Sequence, residues 1–391
     1  MTETTGKYRV AIIGGGRMGT HHARAYALHP KTDIVAVADN DAENRELFSK
    51  RFSVPGYNDY GEMFDKEAID ISVAVLPVRA HPDAVVASAE AGVKGVACEK
   101  PMTGKLADAD RMVEAAESRG IVFGAGVIPR NYPEYQKAAD LLRAGEIGEI
   151  QSINIYDKNG EGGCHSVNLA RLFAGNADVE WIVGWVEGDS FSDFEGDEYS
   201  RRDGDIGFQG LGGYIRFANG IECFSHVRHG VRSRVGELGR GIEVIGTEGT
   251  VFNDSAGLHL LKASESGALE EVEGLFGDTR KGERQYDEEG WSVPTPGMTA
   301  TVGAIVEAVD TGEPPRFSTG DDLRKALEIC IAMRESHRQD HSPVKLPLED
   351  RGLVMYPIYQ RWNFKKEVFG REEYMAQMAV QHPASVQPRS S

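Results

Sequence analysis

Cysteine is scarce in this chain: Cys98, Cys164, Cys223 and Cys330 are its only four in 391 residues, and they lie far apart. With no C-x-x-C pair, neither a zinc site nor a disulfide framework is expected, and the usage fits a reducing compartment. Histidine, cysteine and carboxylate residues never gather at metal-ligand spacing, so no metal is expected. No apolar run approaches the roughly 20 residues that span a bilayer. The opening segment Met1–Lys7 is polar and lacks the apolar stretch of a secretory leader, which points to a cytoplasmic protein with no membrane partner. Positive charge is also in deficit, with 43 Lys and Arg against 61 Asp and Glu, a net charge of −18. Such a surface repels phosphate backbones, and no dense basic run overrides it, so nucleic acid is not an expected partner.

What the chain does have is length and two different patterns. Its 391 residues exceed the usual size of one domain. Over residues 1–128, strand-like and helix-like segments alternate, the pattern of a parallel α/β domain. Expected strands are Tyr8–Ile13, Asp33–Ala38, Ile69–Leu76, Val93–Cys98 and Ile121–Val127. Expected helices are Thr20–Leu28, Ala42–Phe52, Pro82–Ala91 and Leu106–Arg119. From residue 129 to 350 the grammar changes. After a helix at Glu134–Ala144 come strand-like runs at Ile150–Tyr156, Val179–Trp185, Gly213–Phe217, Ile221–Val227, Ile242–Ile245, Thr250–Phe252 and Leu258–Leu261. The turn Ala218-Asn219-Gly220 joins two of them, since Asn-Gly supplies positive φ angles. Helices recur at Met298–Val309 and Asp321–Ser336. Successive strands joined by turns imply an α+β domain with an open, largely antiparallel mixed sheet, helices on one face. Ser264–Val293, rich in Gly, Glu and Asp, reads as a mobile excursion. Residues 351–391 form a C-terminal extension whose Gln-, His-, Pro- and Ser-containing end reads as disordered.

The segment Val10-Ala-Ile-Ile-Gly14-Gly15-Gly16-Arg17-Met18-Gly19 places Gly14-x-Gly16-x-x-Gly19 directly after a strand and at the start of a helix. Gly14 permits the tight turn, Gly16 lets backbone approach a pyrophosphate, and Gly19 lets helix and strand pack closely. The helix N-terminus then offers N–H groups and a positive dipole end to phosphates. The next strand ends at Asp39, at the distance where this fingerprint requires an acid for the ribose hydroxyls. Together these features predict a Rossmann domain that binds a nicotinamide dinucleotide. A carboxylate at Asp39 repels a 2′-phosphate, and no arginine follows it immediately, although Arg45 is about a helical turn away. NAD is therefore favoured over NADP. A second signal is Cys98-Glu99-Lys100-Pro101, which ends a strand at the carboxyl edge where open α/β sheets bind ligands. A lysine there can meet the nicotinamide end of the cofactor.

From Arg9 to about Pro347 the sequence resembles the glucose–fructose oxidoreductase / inositol dehydrogenase / MocA (Gfo/Idh/MocA) family. The resemblance is carried by Gly14–Gly19, Asp39, Pro77-Val-Arg-Ala-His81, Glu99-Lys100-Pro101, Arg130-Asn-Tyr-Pro133, Gly145-Glu-Ile-Gly148, Gly163-Cys-His165-Ser-Val-Asn168 and Ile245-Gly-Thr-Glu-Gly249. It implies cofactor contacts from Gly14, Gly16, Arg17, Met18, Gly19, Asp39, Asn40, Leu76, Pro77, His81, Glu99 and Lys100. Lys100 is implied to contact the reacting oxygen and His165 to relay its proton, and the Lys100–Pro101 peptide is implied to be cis. Family members carry an Asp four residues before this histidine and another three after it; here Glu161 and Asn168 stand at those spacings. Glu161 keeps the charge, and Asn168 keeps hydrogen bonding without it. Glu161 thus joins Lys100 and His165 as a catalytic candidate, while Lys100, Arg130, His165 and Asn168 are the substrate-binding candidates. Arg130 has the alternative of simply pairing with an acidic neighbour, and His81 that of starting a helix.

His21 and His22 are assigned to packing or solvent exposure, and His226 and His229, with Arg228 between them, to alternate faces of a strand; that one face reaches the site is the less favoured reading. The expected activity is NAD(P)-dependent transfer of a hydride between nicotinamide and a sugar, cyclitol or related polyol. Rival readings are a hydrolase or lyase that uses tightly held NAD for transient oxidation, and a non-enzymatic NAD sensor. An open sheet leaves a costly apolar face in water, and with the family resemblance this predicts a homodimer or homotetramer.

Overall fold

The structure, a computed structural model, describes residues 6–126, 128–157, 159, 163–187, 210–227, 240–254, 257–276, 293–316 and 318–355. Glu161, Arg228, His229 and residues 356–391 lie outside the described residues.

The first half runs β1 (Tyr8–Ile13), α1 (Arg17–Leu28), β2 (Thr32–Ala38), α2 (Ala42–Phe52), β3 (Gly56–Tyr57), α3 (Tyr60–Lys66), β4 (Ile71–Ala74), α4 (His81–Glu90), β5 (Gly95–Cys98), α5 (Leu106–Glu117) and β6 (Val122–Ala125). Its six strands form a parallel sheet in the order β3-β2-β1-β4-β5-β6. β1, β4 and β5 are almost wholly buried, as strands covered by helices on both faces must be. The chain first winds from β1 outward to β3, then returns to β4 on the other side of β1. Adjacent loops therefore diverge between β1 and β4 and open a crevice at the carboxyl ends of the strands.

The second half comprises α6 (Pro133–Arg143), β7 (Ile150–Asp157), α7 (Ser166–Phe173), β8 (Val179–Glu187), β9 (Gly210–Phe217), β10 (Glu222–His226), β11 (Arg240–Gly246), β12 (Gly249–Asp254), β13 (Gly257–Ala263), β14 (Leu269–Glu271), α8 (Pro296–Thr311), α9 (Gly320–Arg338) and β15 (Val344–Lys345). Nine strands form one sheet in the order β14-β13-β12-β11-β7-β10-β9-β8-β15, antiparallel throughout except where β10 lies parallel to β7. The expected mixed sheet is thus present, and the turn at Asn219–Gly220 closes the β9–β10 hairpin with Gly220 at φ 89°. Ile153, Ile155, Cys223, Ile215, Val244 and Val251 point from alternate positions into a core covered by α7 and α9. On the opposite face Trp181, Tyr214, Phe224, His226 and Tyr156 form a run of ring contacts with centroids 5.0–6.4 Å apart.

Three differences from the sequence reading matter. α1 begins at Arg17 rather than Thr20, so the glycine loop runs straight into the helix. The expected excursion after Ser264 contains β14, which pairs with β13 through backbone and through the His259 Nδ1–Glu271 Oε1 contact at 2.6 Å, its side chains all exposed. α8, though far along the chain, packs on the first sheet: Met298, Val302, Ile305 and Val306 join Val10, Ile12, Ala23 and Tyr26 in one buried cluster. Asp310 at its end takes a hydrogen bond from Tyr8 Oη and pairs with Lys31, each at 2.6 Å.

Candidate functional site

Each glycine of the loop can be tested by asking what a Cβ would meet. Gly14 sits at φ 102°, and a Cβ there would lie 2.1 Å from the Val75 carbonyl oxygen; at Gly19 it would lie 1.8 Å from the Gly14 oxygen. Both are therefore glycines for internal reasons, the turn and the helix–strand approach. Gly16 is different, because its Cβ would meet nothing closer than Asn44 Nδ2 at 3.8 Å. Its missing side chain leaves open space at the first turn of α1. That helix has no capping side chain and no acidic residue in its first turn. Its leading N–H groups and positive dipole end thus face the loop without a compensating side-chain anion. The cradle fits a pyrophosphate.

Asp39, just beyond β2, is half-buried, and both of its carboxylate oxygens accept backbone N–H groups: Gly15 at 2.8 Å and Asp41 at 2.8 Å. The acid is thereby fixed against the glycine loop, with Asn40 exposed beside it. Arg45, on α2, reaches back to donate through Nη1 to the Asp39 carbonyl at 2.7 Å and to Asn58 Oδ1 at 3.3 Å. Leu76 lies across Gly14, where its methyl would be 3.3 Å from a Cβ, and Pro77 is exposed. Arg17 and Met18 are half-buried in the first turn of α1.

The Glu99-Lys100-Pro101 turn follows β5 at the same edge of the sheet, two strands from β1. The Lys100–Pro101 peptide is cis. Two buried histidines from different helices hold this turn. His22 Nε2 lies 2.9 Å from Glu99 Oε1, and the Lys100 amide donates to Glu99 Oε2 at 2.9 Å. Burial pushes the Glu99 carboxyl up, but the hydrogen bond and charge of His22 and the charge of Lys100 outweigh it and hold the group at about 2, so it is anionic. His81 accepts from the Leu76 amide through Nε2 at 3.2 Å and donates from Nδ1 to the Pro101 carbonyl at 3.0 Å. That pattern needs the neutral ring, in keeping with burial, which lowers its pKa. Both His81 nitrogens are thus committed to the two turns flanking the crevice.

The role of His22 was not anticipated. A signal was present, however: Gly19, His22, Ala23 and Tyr26 recur at helical spacing and are all buried. A polar residue on such a stripe calls for a partner.

From the second half, His165 stands immediately before α7 and is buried, as is Asn168 one turn on. Arg130, in the 3-10 turn Pro129–Asn131 after β6, donates through Nη1 to Asn168 Oδ1 at 3.0 Å and through Nη2 to Asn176 Oδ1 at 2.8 Å. Asp322 at the start of α9 lies 3.3 Å from Arg130 and 3.0 Å from Arg171. Arg130 and Asn168 are thus brought together, bound to each other as well as to an acidic neighbour. Asn168 Nδ2 is buried and has no acceptor among the described residues. β6 pairs with β5, and the Gly126 amide donates to the Cys98 carbonyl at 2.7 Å. The turn carrying Arg130 therefore links the end of β5 to the helix that starts at His165.

Comparison with known proteins agrees with this geometry. Residues 8–127 match the profile described as oxidoreductase family, NAD-binding Rossmann fold. Myo-inositol 2-dehydrogenase of Thermotoga maritima is 25% identical over 355 residues, covering 86% of this chain and 98% of the relative. A dTDP-3,4-didehydro-2,6-dideoxy-alpha-D-glucose 3-reductase of Actinomadura kijaniata is 24% identical over 358 residues, covering 86% and 97%. Among solved structures, an oxidoreductase from Agrobacterium radiobacter in complex with NAD+, L-tartaric acid and magnesium shares the fold, with a TM-score of 0.69 at 19% identity, covering 87% of this chain and 98% of the other. Residues 8–127 thus match an oxidoreductase family with an NAD-binding Rossmann fold, and nearly the whole chain is similar to an inositol dehydrogenase and a sugar reductase, so the chain is an NAD(P)-dependent oxidoreductase similar to the Gfo/Idh/MocA proteins.

Proposed function

We propose that the chain is an NAD-dependent dehydrogenase of a sugar, cyclitol or related polyol, with Lys100 and His165 serving the proton side of the reaction. The observation that carries this reading is the braced Glu99-Lys100-Pro101 turn at the carboxyl edge, two strands from the pyrophosphate cradle, or roughly 10 Å at ordinary strand spacing. A bound nicotinamide supplies the hydride acceptor. Lys100 donates a hydrogen bond to the reacting oxygen, and its positive charge stabilises the alkoxide character that develops there. His165 takes the proton, a role that suits an imidazole because it titrates near neutral pH. Asn168 contacts a substrate hydroxyl, a part supported by its uncommitted Nδ2, while Arg130 fixes its other end. NAD is preferred because Asp39, already fixed by Gly15 and Asp41, faces a 2′-phosphate with like charge. The aromatic face of the second sheet supports a dimer or tetramer of this chain.

The test is to mix the protein with NAD and a panel of inositols and aldoses and follow reduced nicotinamide. Net formation with at least one polyol is expected. Consumption of a substrate without net reduced cofactor would replace the dehydrogenase with a redox-neutral lyase or hydrolase.

A further inference from the structure

We propose that His22, a residue of the dinucleotide helix, is a positioning residue for Lys100 and acts through the carboxylate of Glu99. The inference rests on the reading of Lys100 as the group that meets the reacting oxygen.

The geometry is closed on every side. The His22 side chain is 3% exposed and that of Glu99 9%. One Glu99 oxygen takes the His22 Nε2 contact and the other takes the Lys100 amide. The Glu99 amide donates to the Ala74 carbonyl at 2.9 Å, so its backbone extends the β4–β5 pairing. Gly126 walls off the remaining side, since a Cβ there would lie 2.9 Å from both Glu99 Cα and Oε1. On the far side of Lys100, the Pro101 carbonyl is held by His81. The main chain of Lys100 is thus fixed from both neighbours, and the position of its side chain follows from where His22 places Glu99.

Burying a carboxylate with its histidine partner costs desolvation that an apolar pair of similar volume avoids, so stability alone is a poor reason for it. What the pair does supply is register. His22 lies on the same rigid helix whose first turn forms the pyrophosphate cradle, roughly 8 Å along its axis from Arg17. One helix therefore sets both the cradle and, through Glu99, the lysine.

The test compares His22→Leu, His22→Gln, Glu99→Gln, the double variant His22→Leu/Glu99→Gln and Lys100→Ala in the full chain. Readouts are kcat and KM against pH, NAD affinity by protein fluorescence, and ring-nitrogen NMR of His22 in the cofactor-free protein. His22→Leu is expected to lower kcat about 10-fold or more, as small misplacements of a reacting group do, with NAD affinity within about threefold. It also removes the His22 contact from the buried Glu99 carboxylate, so its kcat profile gains an ionisation that the double variant lacks. His22→Gln, which keeps a donor, recovers most of the rate, and Glu99→Gln shifts the His22 ring resonances. A His22→Leu protein that melts earlier yet keeps the wild-type kcat and pH profile would overturn the proposal. Should that variant fail to fold, a wild-type kcat and pH profile in Glu99→Gln would overturn it instead. If Lys100→Ala itself turns over normally, the reading of Lys100 has failed; if Lys100→Ala is inactive and His22→Leu normal, only the positioning role has.

Discussion

Replacing the loop glycines one at a time by alanine separates those that serve the fold from the one that serves the ligand. At Gly14 the added methyl meets the Val75 carbonyl at 2.1 Å, and the backbone is held at φ 102°. Overpacking costs about 1–3 kcal/mol and a strained backbone about 1–3 more, so Gly14→Ala loses about 2–6 kcal/mol. At roughly 2–4 °C per kcal/mol for a domain of this size, its Tm falls by about 4–24 °C. Gly19→Ala meets the Gly14 oxygen at 1.8 Å but has ordinary helical geometry, so its loss rests on the clash alone. Gly16 has φ −68° and ψ −166°, open to any residue, and its methyl would meet only Asn44 Nδ2 at 3.8 Å. The cost is then limited to the N-cap preference, about 0.5–1 kcal/mol, or a few degrees at most. NAD affinity should respond the other way. A methyl at Gly16 stands where phosphate must approach the N–H groups, and losing one charge-assisted hydrogen bond of about 1.5–3 kcal/mol raises Kd by roughly 10–100-fold. Calorimetry of the cofactor-free proteins and fluorescence titration with NAD measure the two effects. If Gly16→Ala melts with Gly14→Ala, or binds NAD as the wild type does, the assignment of the cradle is wrong.

Three further outcomes follow from the same geometry. Asp39→Ala should narrow the difference between NAD and NADP dissociation constants; tighter binding of NADP by the unaltered protein would refute the preference. Burial lowers the His81 pKa from 6.5, so the unfolded chain holds the extra proton in the window that opens near that value and extends downward. Stability should accordingly fall as pH drops through that window, by at most about 1.4 kcal/mol per pH unit, and a His81→Asn protein with an unchanged slope would exclude His81 as the cause. In light scattering the protein should be a dimer or tetramer, and Trp181→Arg with Tyr214→Arg should shift it toward monomer; a wild-type monomer at micromolar concentration would count against the assembly.

What the sequence made legible was whatever its local chemistry repeats. β1, α2 and the glycine loop could be read directly, because apolar runs, turn residues and caps sit next to one another in the chain. The mixed sheet was legible through alternation, since Ile153 and Ile155 face the core while Asn154 and Tyr156 do not. α7 was missed because its eight residues make barely two turns, too short a window for the spacing of its apolar and polar residues, Asn168 and Arg171 among them, to stand out as a helical period. β3, with two residues, carries too little pattern to be seen. The packing of α8 on the first sheet depends on contacts between Ile305 and residues some 300 positions away, which periodicity does not encode. The candidate site divides likewise. Gly16, Asp39 and Lys100 stood out because each follows within a few residues of a strand end, whereas the His22–Glu99 pairing joins a helix to a turn 77 positions away.

The central claim, that Lys100 and His165 act on the reacting oxygen while the glycine loop holds the dinucleotide, is tested most directly by one paired measurement. Steady-state kcat on the best polyol and the NAD dissociation constant are determined together for the wild type, Lys100→Ala and His165→Ala. The account predicts that kcat falls by roughly 10²-fold or more in both variants, the scale of general acid–base catalysis, while NAD affinity stays near the wild-type value. Near-normal turnover in His165→Ala would remove it as the proton acceptor, and near-normal turnover in both variants would contradict the account.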